Sequence, residues 1–132
     1  MKQIMKQIIF PFLSILMIVS CTISKKELIG KYSFTGNQIK DSLILHDNIY
    51  VHKIFDKDHK LMYTESNKWI LDKDRITLFG FYNNENNPLE EHLSNEDAKK
   101  FLMITSFPIY KQNKDIIIEV NSDENILYRK AK

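Results

Sequence analysis

IYVHKIFDKDHKLMYTESNKWILDKDRITLFGFY, Ile49 to Tyr82, decides the fold. Its first run sets Ile49, Val51 and Phe55 against Tyr50, His52 and Ile54, the period-two alternation of a half-buried strand. The polar cluster DKDHK (56–60) follows, and then LMYTESNKWIL (61–71), a β-rich run ending in Trp69 and Leu71. DKD (72–74) separates it from RITLFGFY (75–82), an aromatic strand in which Gly80 marks a bulge or a close backbone approach. The connections are short, polar and alternate in charge, so they read as hairpin turns and the strands as an antiparallel meander.

The same pattern extends in both directions. Upstream, DSLIL (41–45) puts Leu43 and Leu45 on one face, HDN (46–48) is a turn, and GKYSFT (30–35) reads as a further strand. Downstream, NNENNPLEEHLSNEDAKK (83–100) holds Pro88 and lacks strand periodicity, so it reads as a long surface loop. Ser94 and Asp97 imitate a capping box and predict a short helical turn near 95–100. Residues 83–94 offer few apolar groups to offset their ordering entropy, and the expectation is that folding does not need them. The strand pattern resumes with FLMITSFPIY (101–110), KDIIIEV (114–120) and ILYRK (126–130). The fold class expected is all-β: a single antiparallel meander of seven or eight strands forming a small barrel or sandwich. Closure is the simplest way to remove sheet edges at this size.

The N-terminus is of another kind. Lys2 and Lys6 precede IIFPFLSILMIV (8–19), a charged n-region followed by an apolar h-region. The run is shorter than the about 20 residues a membrane-spanning helix needs, and Pro11 interrupts it. It ends in Ile18-Val19-Ser20-Cys21, aliphatic, aliphatic, small, cysteine. This stretch closely resembles the lipobox of bacterial lipoproteins, over the first 21 residues. The resemblance implies that a signal helix is removed before Cys21 and that the Cys21 thiol carries a diacylglycerol. Two or three acyl chains hold a protein stably, where one holds it only marginally. The expected organisation is a lipoprotein signal peptide at 1–20, a tether at 21–29 and an antiparallel β domain at 30–132. The expected location is the cell envelope, lipid-anchored to a bacterial membrane through Cys21.

LIGKY (28–32), the meander, Trp69 and the late tyrosine strand ILYRK together resemble the small lipocalin-like lipoproteins of Bacteroidota. Tyr32 stands where lipocalins carry a tryptophan. The resemblance implies a lipocalin-like barrel able to hold a small apolar ligand.

Composition narrows the chemistry. The chain has 19 Lys and Arg against 17 Asp and Glu. Removing Lys2 and Lys6 leaves 17 of each, and a neutral domain has no electrostatic reason to bind nucleic acid. Cys21 is the sole cysteine, so once it is lipidated no disulfide, thiolate nucleophile or cysteine metal site is expected. His46, His52, His59 and His92 lie in no ligand spacing, and no metal or other cofactor is expected; His52 shares a face with Tyr50 and Ile54 that can point into a barrel. Glu90–Glu91 and Glu96–Asp97 cluster in the long loop, away from the rigid elements that acid–base catalysis requires. There is no G-x-S-x-G and no glycine-rich phosphate loop among three glycines, so no catalytic residue is assigned and the protein is not expected to be an enzyme. Tyr50, Trp69, Phe79 and Phe81 are the aromatic candidates for a ligand site, with Phe79 and Phe81 expected opposite Ile76 and Leu78. The partner is then a small apolar ligand or, alternatively, another envelope protein bound from outside, as by an inhibitor or immunity factor.

Overall fold

The computed structural model describes residues 22–89, 94–100 and 102–132. Residues 1–21, where the signal segment and lipidated Cys21 are expected, and Glu90, Glu91 and His92 lie outside these residues. The elements are α1 (Lys25–Leu28), β1 (Gly30–Thr35), β2 (Ile39–Leu45), β3 (Ile49–Asp56), β4 (Leu61–Asp72), β5 (Arg75–Phe81), α2 (Asn95–Lys99), β6 (Met103–Gln112), β7 (Asp115–Asn121) and β8 (Ile126–Lys130). Each strand pairs antiparallel with the next. β8 returns to β1 through Tyr32↔Lys130 and Ser33↔Arg129, and the sheet is a closed eight-strand barrel. Of the two expected architectures the barrel is the one adopted. All eight strands lie where alternation placed them.

Which face turns inward follows from burial. Leu43 and Leu45 face the core as expected, and so do Tyr50, His52 and Ile54, all fully buried. Ile49 and Val51 face outward although they are the more apolar set. A barrel interior accepts long side chains whose polar tips find partners inside it, and here they do. Trp69 is 2 % exposed and its indole Nε1–H donates to the His46 carbonyl at 2.8 Å, so the ring seals the turn between β2 and β3.

Two elements depart from the sequence reading. Residues 22–29, expected as a tether, are packed on the barrel. Ser24 and Glu27 form a capping box around α1, Leu28 is fully buried, and Ile23 is in the core cluster. A helix this short is not stable alone. Burial of Leu28 contributes about 1.5–3 kcal/mol and the cap about 1 kcal/mol more. The Tyr32 hydroxyl donates to the Leu28 carbonyl at 2.7 Å, and α1 thereby closes one end of the barrel.

The second departure is the connection after β5. Residues 83–89 are not a loose loop: Asn84 is buried, and its side chain and that of Asn87 exchange hydrogen bonds with each other's backbone carbonyl at 2.7 and 2.8 Å. Leu89 and Tyr82 pack on Ile39, Ile54 and Tyr63. Asn86 Oδ1 accepts from Gln38 N at 3.2 Å and sits so close to Gly36 that a Cβ there would meet it at 2.0 Å. Asparagine amides satisfy this backbone locally, which a count of apolar residues does not register. Half of the capping box expected at Ser94 and Asp97 is present at the start of α2: the Ser94 hydroxyl accepts from Asp97 N at 3.2 Å, and it donates to Asp97 Oδ2 at 2.8 Å. The meander sends alternate turns to opposite ends. α1 and the turns at 46–48, 73–74 and 113–114 share one end, and those at 36–38, 57–60, 82–102 and 122–125 share the other, called here the loop end.

Candidate functional site

The bulge in β5 organises the inside of the barrel. Its register to β6 shifts between Leu78 and Phe81, and Gly80 takes φ +58, in the left-handed region. The shift returns Phe81 to the inward face with Ile76 and Leu78. Phe79 is left on the other side, half-buried, with Lys68 Nζ 5.5 Å from its ring centroid. The expected pairing of Phe79 with Phe81 is therefore corrected: the bulge separates them. The Phe79 carbonyl, released from the ladder, accepts the Tyr50 hydroxyl at 2.6 Å.

Phe81 stacks on the His52 imidazole at a centroid distance of 4.6 Å, and Tyr50 and Phe107 meet its edges at 6.0 and 5.7 Å. Tyr63 lies edge-on to the same imidazole at 5.7 Å. His52 is 0 % exposed, and its Nε2–H donates to Asp41 Oδ1 at 2.7 Å. That pairing assigns the tautomer. The register explains it: Asp41 stands opposite Ile54 and His52 opposite Leu43, so the two are diagonal neighbours on the inward face. Tyr128 from β8 completes the group, its hydroxyl 3.5 Å from the same nitrogen. Burial pushes the Tyr128 phenol well above its ordinary range, and the Asp41 charge and its hydrogen bond push the same way. Burial likewise raises Tyr63, helped by its hydrogen bond to Glu65, and raises Tyr50, helped by the Glu65 charge. Among the described residues, His52 Nδ1 and Thr105 Oγ1 are buried without a hydrogen-bond partner.

Tyr50, Trp69 and Phe81 thus come together in the core cluster, and Phe79 does not join them. Their rings are buried in the interior. Surface concavities lie elsewhere, one lined by Lys31, Lys40, Lys53 and Phe55 on the outer wall and one by Lys25, Lys26, Ile29 and Asp47 at the α1 end. Exposed large apolar side chains gather at strand ends: Met103 (56 % exposed) and Ile104 (71 %) open β6 at the loop end, beside Leu61 in β4 at the same end. Among the described residues no group of His, Cys, Asp and Glu is arranged to hold a metal, and no helix is long and apolar enough to cross a membrane.

The Asp41–His52–Tyr128 group escaped the sequence reading, although the signal for it was there. A tight turn at HDN fixes Leu45 opposite Tyr50, and counting outward from it places His52 beside Asp41. The class these features define is a closed, all-β meander barrel with a buried polar cluster and a helical plug. No family model, curated protein or solved structure matches the chain.

Proposed function

We propose that this protein is a lipid-anchored binding module of the bacterial cell envelope, non-catalytic, held at the membrane by Cys21 and recognising an envelope protein through the loop end of the barrel. The signal segment and the lipobox support the anchor. The observation that carries the recognition reading is the division of apolar side chains. The interior is occupied by the buried rings of Tyr32, Tyr50, Tyr63, Trp69 and Phe81, while Met103 and Ile104 stand exposed at the rim. A filled barrel offers a rigid scaffold, and recognition then falls to its loops and edges. The full burial of His52 supports the non-catalytic reading, since the imidazole has no open path to a substrate.

One observation favours a second occupant. His52 Nδ1 and Thr105 Oγ1 are buried polar atoms without partners, the kind of lining that orients a small, mostly apolar ligand among aromatic rings. A photocrosslinking side chain in place of Ile104 distinguishes the two readings in native membranes. The protein-recognition reading predicts a discrete protein adduct from Ile104 and none from an equivalent probe at Asp74, at the opposite end. Absence of an Ile104 adduct, with a small molecule retained by the purified protein, overturns it in favour of the ligand.

A further inference from the structure

The stretch between the lipidation position and the barrel has no slack. Ile23 is 5 % exposed and belongs to the core cluster, and α1 follows directly. α1 is itself fixed at several points: Lys25 Nζ donates to Asn48 Oδ1 at 3.0 Å, Lys111 Nζ to Glu27 Oε2 at 2.6 Å, and Lys130 Nζ to the Glu27 carbonyl. From residue 21 to residue 23 the chain can span at most about 7 Å. A lipid on Cys21 therefore holds the α1 end of the barrel against the bilayer.

We infer that this end is a membrane-contact face whose lysines meet anionic lipid headgroups, with the loop end turned away from the membrane. The inference rests on the reading of Cys21 as the lipidated residue. Its independent support is charge and apolar placement. Lys25, Lys26, Lys73, Lys114 and Lys132 are exposed at the α1 end, against Asp47, Asp72 and Asp74 there. The loop end carries Asp58, Glu85, Glu96, Asp97, Asp123 and Glu124 against Lys57, Lys60, Lys99 and Lys100. Cations exceed anions at the α1 end and anions exceed cations at the loop end, so the basic pole is the one nearest the anchor. Ile49 and Ile70, 46 and 49 % exposed, flank Lys68 on the outer wall of β3 and β4 near the same end. That is the mixture of apolar and basic side chains suited to the headgroup boundary. Electrostatic attraction to an anionic leaflet acts only within about a Debye length, roughly 8–10 Å, and the short link from Cys21 keeps Lys25 and Lys26 near that range.

The test uses the mature, lipidated chain purified from its own cells and placed in vesicles of phosphatidylcholine with phosphatidylglycerol. Lipidation occupies the only native cysteine, so a fluorophore is introduced at Asp74→Cys (α1 end) or Asp123→Cys (loop end), and quenching by nitroxide-labelled headgroups is read. The expected result is strong quenching at position 74 and little at position 123. In the Lys25→Gln/Lys26→Gln variant the ratio of contacting to lifted orientations falls roughly fivefold per lysine removed. Equal quenching at the two positions, in protein whose mass confirms acylation at Cys21, overturns the orientation and leaves the anchor standing. A mass without lipid overturns the anchor and the orientation with it. Shielding of position 74 in native membranes but not in vesicles means that a protein covers this end, and that too overturns the contact with lipid.

Discussion

Replacing Asp41 by alanine removes the acceptor that holds the barrel's buried polar group together. Asp41 is 4 % exposed, and its carboxylate takes the hydrogen bond from His52 Nε2 at 2.7 Å. Without it, both His52 and the Tyr128 hydroxyl lose a buried partner. A buried donor left unsatisfied costs about 1–3 kcal/mol, and the replacement orphans two of them, His52 Nε2–H and the Tyr128 hydroxyl. At about 2 kcal/mol for each orphaned donor, we expect Asp41→Ala to destabilise by about 4 kcal/mol, a large part of a stability of about 5–15 kcal/mol. With a urea m value near 2 kcal/mol/M, the unfolding midpoint falls by about 2 M. The double replacement Asp41→Leu/His52→Leu removes both members and fills the space with apolar atoms. It is expected to cost less than Asp41→Ala, because no orphaned group remains in that pair. The assay is equilibrium urea unfolding followed by far-ultraviolet circular dichroism. A change below about 0.5 kcal/mol for Asp41→Ala, or a double replacement that costs more than Asp41→Ala, would mean that the three groups are not coupled.

Three further outcomes follow from the packing. Trp69→Ala is expected to cost about 3–5 kcal/mol by the same assay, since it empties a core position and frees the His46 carbonyl; an unchanged midpoint would place Trp69 outside the core. Tyr32, Tyr50, Tyr63 and Tyr128 have phenols raised in the folded state, first by burial. The native state then keeps protons that the unfolded chain releases above about pH 10, so stability is full below that pH and falls above it by about 1.4 kcal/mol per pH unit per tyrosine; a urea midpoint flat up to about pH 12 would contradict this. Gly36→Ala forces Asn86 away from its bond to Gln38, and is expected to cost about 1 kcal/mol and to speed hydrogen exchange at the Gln38 amide, with unchanged exchange as the contrary result.

Strand positions were legible because alternation is a local signal, and β3, β4 and β5 follow it to within a residue or two. Closure was legible only as one of two architectures, from the need to cover sheet edges, because the pairing that makes it, Tyr32↔Lys130 and Ser33↔Arg129, joins the two ends of the domain and no window of sequence contains it. The Gly80 bulge could be anticipated from the glycine, but not its consequence: whether Phe81 faces with Phe79 or against it depends on how many residues the bulge absorbs. SKKE (24–27) has the Ser-x-x-Glu spacing of a capping box, but nothing local to it shows that residues 22–29 pack on the barrel. The Asn-rich connection misled in the same way, since its order comes from amide hydrogen bonds and from Leu89 alone.

The proposed function is that of an acylated, envelope-tethered barrel that recognises a protein from outside. Native mass spectrometry of the protein extracted from its own membranes tests it most directly. The result predicted is a chain beginning at Cys21, heavier by a diacylglycerol and any amide-linked acyl chain, in complex with a second protein and with no small molecule inside. A chain of unmodified mass, or a stoichiometric small molecule that leaves only when the barrel unfolds, would contradict it.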